Sequence, residues 1–155
     1  MDVVTLCDAT KDSLERLRLS GCKYEGHTWV EEFQKNLADI LSGSSTEYRW
    51  DIEYAHSGRS ERDSIDVYGF ARSLPSWIIE IDATRADQVA KKILSRLALW
   101  GLKDPINYVA IMYPNTQGSK KECEKYLRYG ANVLHKVNSK SSIIGIFIDP
   151  ADDRI

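Results

Sequence analysis

Apolar residues return every third or fourth position from Thr28 to Leu41. Trp29, Phe33, Leu37 and Ile40 form the stripe, with Val30 and Leu41 beside it, which predicts an amphipathic helix packed by one face. Ser42-Gly43-Ser44-Ser45 follows and predicts its end. The period then falls to two. From Tyr48 to Ala55, Trp50, Ile52 and Tyr54 alternate with Arg49, Asp51 and Glu53; from Ser64 to Ala71, Ile65 and Val67 oppose Asp66 and Tyr68. A third extended run covers Trp77 to Ala83. A polar loop around Ser57-Gly58-Arg59-Ser60 and a turn at Ser73-Leu74-Pro75 separate the runs, so they predict an antiparallel meander.

Helical spacing resumes from Ala86 to Trp100, with Val89, Ala90, Ile93, Leu94 and Leu97 as the expected buried stripe and Gly101 as its stop. Ile106 to Tyr113 is nearly continuous in apolar residues, as in a strand covered on both faces, and Pro114 ends it. Lys120 to Val137 predicts another helix, apolar along Cys123, Tyr126, Leu127, Val133 and Leu134. Ser142 to Ile148 predicts a last strand stopped at Asp149-Pro150, with a frayed tail from Ala151 to Ile155. Ahead of all this, Lys11 to Leu19 can form a short helix ending before Gly21. The order is α-β-β-β-α-β-α-β: an α/β fold with a mixed central sheet flanked by helices. At 155 residues this fits a single domain, with residues 1–24 as an N-terminal extension.

Composition narrows the chemistry. The chain is 43% apolar and 28% charged with a net charge of -2, so any nucleic-acid contact must come from a local basic surface. Cys7, Cys22 and Cys123 are odd in number and far apart, and His27, His56 and His135 are scattered. Neither set suits a disulfide framework or a zinc knuckle, and a reducing compartment is expected. The N-terminus, with Asp2, Asp8, Lys11 and Asp12, does not read as a signal peptide. The longest apolar run, Ile143 to Ile148, is too short to span a bilayer. A soluble, cytoplasmic protein without membrane contact is expected. The chain has no Walker A sequence, dinucleotide fingerprint, nucleophile elbow or HExxH.

What remains is acidic. Residues two apart on a strand share a face, so Glu80 and Asp82 point the same way, opposite Ile79 and Ile81. A turn centred near Ser73 would set Asp66 opposite Glu80. The apolar setting Trp77-Ile78-Ile79-Glu80-Ile81-Asp82 predicts a covered face, whereas Asp51 and Glu53 read as solvated. Carboxylates so placed repel unless a divalent cation, an Arg or Lys, or protonation compensates. Oxygen ligands of this kind suit Mg²⁺ or Mn²⁺.

Ser64-Ile65-Asp66, then Trp77-Ile78-Ile79-Glu80-Ile81-Asp82, then an amphipathic helix, resembles the core of the PD-(D/E)xK, or restriction-endonuclease-like, nuclease superfamily. Restriction enzymes, Holliday-junction resolvases and repair nucleases belong to it. Its core of helix, meander, helix and strand corresponds to residues 28–113, over half the chain. The resemblance implies a metal-dependent nuclease hydrolysing phosphodiester bonds, of DNA before RNA, with homodimers or larger complexes common among relatives. It implies Asp66 as the first metal ligand and Glu80 as the second, with the Ile81 carbonyl as a third. Asp82 stands where the family usually has lysine, as a further ligand or water-orienting base. That departure leaves three alternatives open: a site that stays active with the acid in place, as in a few restriction enzymes of the superfamily, a cation supplied by the next helix, or a catalytically inactive nuclease-fold module that binds nucleic acid or protein.

On the helix after the third strand, Arg85, Gln88, Lys92 and Arg96 share one side. Lys92 is the candidate substitute for the missing lysine, and Gln88 resembles a glutamine some relatives carry near the site. Arg85 is a candidate phosphate contact, while Arg96 reads as solvated. On the first helix Glu31 and Glu32 read as exposed, and Gln34 flanks the apolar stripe. Lys121, Lys125, Arg128 and Lys136 form either a phosphate-contacting surface or an ordinary charged face, and Tyr113, Tyr126 and Tyr129 are candidate stacking aromatics.

Overall fold

The computed structural model describes residues 1–21, 27–55, 64–100, 104–113 and 119–148. The Ser57–Ser60 loop, the stops at Gly101, Pro114 and Asp149-Pro150, the tail, Cys22 and His56 lie outside the described residues. Two compact units divide the chain at Ala71 and Arg72.

The first unit holds helices α1 (Val3–Leu19) and α2 (His27–Ser44) and strands β1 (Arg49–Tyr54) and β2 (Ile65–Phe70). α1 is longer than the short helix expected. Its buried face is Leu6, Ala9, Thr10, Ser13, Leu14 and Leu17, helical in spacing but half composed of small or polar residues that weaken the apolar signal. Thr10 satisfies its hydroxyl by donating to the Leu6 carbonyl at 2.8 Å. Asp2 caps the start by accepting from the Thr5 backbone N–H, and Gly21 takes φ +73° past the end. α2 also runs past its expected stop, and Ser42 and Ser44 in its last turn donate back to the carbonyls of Ala38 and Ile40 at 2.8 Å. Trp29 and Phe33 stack at 5.2 Å within its buried stripe.

β1 and β2 pair antiparallel, with Trp50 opposite Gly69 and Ile52 opposite Val67. A Cβ on Gly69 would lie 2.6 Å from the Trp50 ring, so glycine lets the indole lie flat on the strand. The expected alternation of β1 fails at Ile52, which is exposed. The next residue, Glu53, has φ +47° and interrupts the extended backbone there.

The second unit is β3 (Ser76–Ala83), α3 (Ala86–Trp100), β4 (Ile106–Tyr113), α4 (Lys120–Val137) and β5 (Ser142–Phe147). β3, β4 and β5 run parallel, with Glu80 beside Ala110 and Asp82 beside Met112. α3 and α4 are the crossovers, as parallel neighbours require. They approach closely at Gly130, where a Cβ would meet the Ile93 side chain at 2.8 Å. β4 is buried nearly throughout, as its apolar run predicts. Two stripe residues differ from expectation. Leu94 is 63% exposed and Val133 46% exposed. Each lies about 100° around the helix from a buried position, Ile93 and Leu134, and so on the shoulder rather than the buried face. The chain is thus α/β with mixed strand pairing. Among the described residues no helix is long and apolar enough to cross a membrane.

Candidate active site

β3 sets the chemistry of the second unit. Ile79 and Ile81 are buried, and so is Glu80 between them. The covered face read from the sequence is therefore present. A carboxylate taken from water needs compensation amounting to several kcal/mol in a real protein, and α3 supplies it. Lys92 and Arg96 are four residues apart, one helical turn on the same face. The Arg96 Nε donates to Glu80 Oε1 at 2.5 Å. The Lys92 ammonium lies 2.8 Å from Glu80 Oε2 and 3.1 Å from Asp82 Oδ1.

The two cations sit differently. The Arg96 side chain is 4% exposed and that of Lys92 25%, against 17% for Asp82. Arg96 therefore corrects the expectation of a solvated basic face. Its position falls on the buried side of α3 with Val89, Ile93 and Leu97, where a guanidinium is tolerated because Glu80 meets it. The signal that could have found it was the buried acid: a covered Glu80 demands a cation, and Arg96 is one turn beyond Lys92. Arg85 and Gln88 turn elsewhere. Arg85 pairs with Asp87 at 2.9 Å in an exposed contact, and the Gln88 amide lies 3.4 Å from the same carboxylate.

Asp66 belongs to the first unit, where a second polar group forms. Gln34 is buried on α2, and its amide donates to Glu53 Oε1 at 2.9 Å and to Asp66 Oδ1 at 3.2 Å. Ser64 donates to Glu53 Oε2 at 2.5 Å. The pairs Ile52–Val67 and Tyr54–Ile65 put Glu53 level with Asp66. Glu53 is exposed, but its carboxylate is held at both oxygens rather than merely solvated, on a backbone in the left-handed region. A non-glycine residue kept there marks local constraint. The β1–β2 register was the missed signal. Of the other α2 candidates, Glu31 is exposed and Glu32 pairs with Lys35 at 3.0 Å.

Among the described residues no group of three or more His, Cys, Asp and Glu side chains is placed to hold a metal. Glu80 and Asp82 nevertheless direct one oxygen each at a single cation, the Lys92 ammonium. Two carboxylates suffice for Mg²⁺, which typically takes one or two and completes its shell with water and phosphate. The donor set of β3 therefore fits such an ion.

On α4, Lys121, Arg128 and Lys136 are exposed, and Lys125 pairs with Glu122 at 3.2 Å. The Glu122 carboxylate beside Lys125 raises its pKa. Tyr126 and Tyr129 meet edge to face at 6.1 Å, with Tyr129 exposed. A depression of about 560 Å³ lies between the end of α4 and β5, against Asn132, His135, Lys136 and Ser141, and holds none of the acids considered above. Burial raises the pKa of Cys123, so its thiol stays protonated near neutral pH. No family model, curated protein or solved structure matches the chain.

Proposed function

We propose that this chain is a Mg²⁺- or Mn²⁺-dependent phosphodiesterase acting on DNA, with Glu80 and Asp82 as metal ligands and Lys92 as the cation that meets the scissile phosphate. The observation that carries this reading is the position of Lys92. Its ammonium touches both β3 carboxylates, so the charge that relatives carry two residues after the second acid reaches this pair from α3 instead. Asp66, in the other unit, is held by the Gln34 amide.

Glu80 and Asp82 would hold the divalent ion, which would supply Lewis-acid polarisation of a phosphoryl oxygen and activation of water. The chain's own residues do the rest. Arg96 fixes the rotamer of Glu80 from a buried position. Lys92, partly exposed, places positive charge where an incoming phosphate oxygen gains it.

A second reading, a non-catalytic nucleic-acid-binding module, has two observations in its favour. Glu80 and Asp82 already face two cations of the chain itself. The second unit also carries 13 Lys and Arg against nine Asp and Glu, and the first unit eight against 14, a polarity that suits a polyanion on the second.

Incubation with plasmid, single-stranded DNA and RNA in Mg²⁺ or Mn²⁺ separates the two. Cleavage by the wild type, lost in Glu80→Ala and Asp82→Ala, is the expected result. Salt-sensitive DNA binding with no cleavage and no calorimetric Mn²⁺ binding would establish the second reading instead.

A further inference from the structure

The cations at Glu80 are chemically unequal. Arg96 is sealed in, and its planar guanidinium is a rigid, always-charged donor. Lys92 is a compact ammonium on a flexible four-carbon stem, with a quarter of its side chain open to solvent. Its ammonium lies at 2.8 Å and 3.1 Å from Glu80 Oε2 and Asp82 Oδ1. Two carboxylate oxygens so placed define one cation position, and a side chain from another element fills it.

We propose that this position is a cation-exchange site: the Lys92 ammonium holds it until a divalent ion displaces it, while Arg96 remains on Glu80. The inference rests on the reading of Glu80 and Asp82 as metal ligands. A divalent ion bonds carboxylate oxygen at roughly 2.0–2.6 Å, and Lys92 now sits at hydrogen-bond distance from the same two oxygens. Both cannot occupy one point, and their like charges repel. Lys92 is the one that leaves, because its stem is flexible and reaches solvent, whereas Arg96 has no comparable exit. The released ammonium stays tethered one turn of α3 from Arg96 and close to any phosphate the site admits. Metal loading and presentation of the lysine are therefore one event. Without the ion, Lys92 keeps the acids neutralised and the β3 face folded.

The test is calorimetric titration of the full chain with Mn²⁺, comparing wild type, Lys92→Met and Lys91→Met. Lys91 is the exposed neighbour, and its substitution changes net charge equally without opening the site. Exchange predicts that Lys92→Met binds Mn²⁺ about tenfold or more tightly than wild type, as expected when the competent state is a minor population, and that Lys91→Met stays near wild type. A second readout is reductive methylation of the Lys92 amine, followed by mass spectrometry, which speeds up when Mn²⁺ is added. Equal Mn²⁺ affinity in wild type and Lys92→Met, or methylation of Lys92 indifferent to Mn²⁺, overturns the exchange and leaves the metal reading standing. No Mn²⁺ binding by any of the three proteins overturns the metal reading, and the exchange with it.

Discussion

Arg96 shows what a buried charge demands of its neighbours. Its side chain lies within the apolar face of α3 and donates to a carboxylate that is itself fully buried. Arg96→Met would leave Glu80 without its guanidinium and is expected to cost about 3–5 kcal/mol in urea unfolding, the scale for removing one partner of a buried pair. Glu80→Leu combined with Arg96→Met should recover most of that loss. An Arg96→Met protein as stable as wild type would show that the pair does not hold β3 to α3. A second residue-scale test concerns packing. Gly69→Ala brings a methyl to 2.6 Å from the Trp50 ring and is expected to destabilise the protein by about 1–3 kcal/mol, typical of overpacking. Thermal melting of the variant checks it. At this scale the acids and Lys92 could be named from the sequence, and Arg96 could not. An apolar run around Glu80 announces a covered carboxylate. Which cation answers it depends on how α3 is rotated, and a helical wheel cannot fix that.

Elements were legible wherever one residue pattern dominated. α3, β4 and α4 have the bounds their spacing predicts, because each carries a dense run of apolar residues. α1 was mostly hidden, since Thr10 and Ser13 stand on its buried face. β1 looked regular in sequence and is not, because the left-handed backbone at Glu53 leaves no mark in an alternating pattern. The cap of α1 gives a pH test. The Thr5 backbone N–H, then its hydroxyl, donates to the Asp2 carboxylate and lowers its pKa below the ordinary 3.8. A depressed carboxylate stabilises the fold above its unfolded pKa, and that contribution is lost as pH falls through the folded value. Asp2→Asn keeps an acceptor without the titration. Circular dichroism should therefore show wild type losing stability relative to Asp2→Asn as pH drops below about 3.8. Parallel pH profiles for the two proteins would remove the cap's electrostatic role.

At the scale of the whole molecule, the order of elements was readable except for the full length of α1, and the α/β class with mixed strand pairing followed from it. The site was readable only in part. Glu80, Asp82 and Lys92 meet, Arg85 and Gln88 turn to Asp87, and Glu53 joins Asp66 through Gln34. The reason is geometric. Strand alternation fixes a face within one element, while contacts between elements depend on register and rotation, which short motifs do not encode. The charge is also unevenly divided, with the excess of Lys and Arg in the same unit as Glu80 and Lys92.

The central claim is that Lys92 completes a phosphodiesterase site on Glu80 and Asp82. A plasmid-nicking time course in Mn²⁺ tests it most directly, with wild type and Lys92→Met side by side. Wild type should nick, and Lys92→Met should nick at least about 100-fold more slowly, the scale of losing one group that stabilises transition-state charge. Nicking by Lys92→Met at the wild-type rate, or none by wild type with plasmid or single-stranded DNA, would contradict the account.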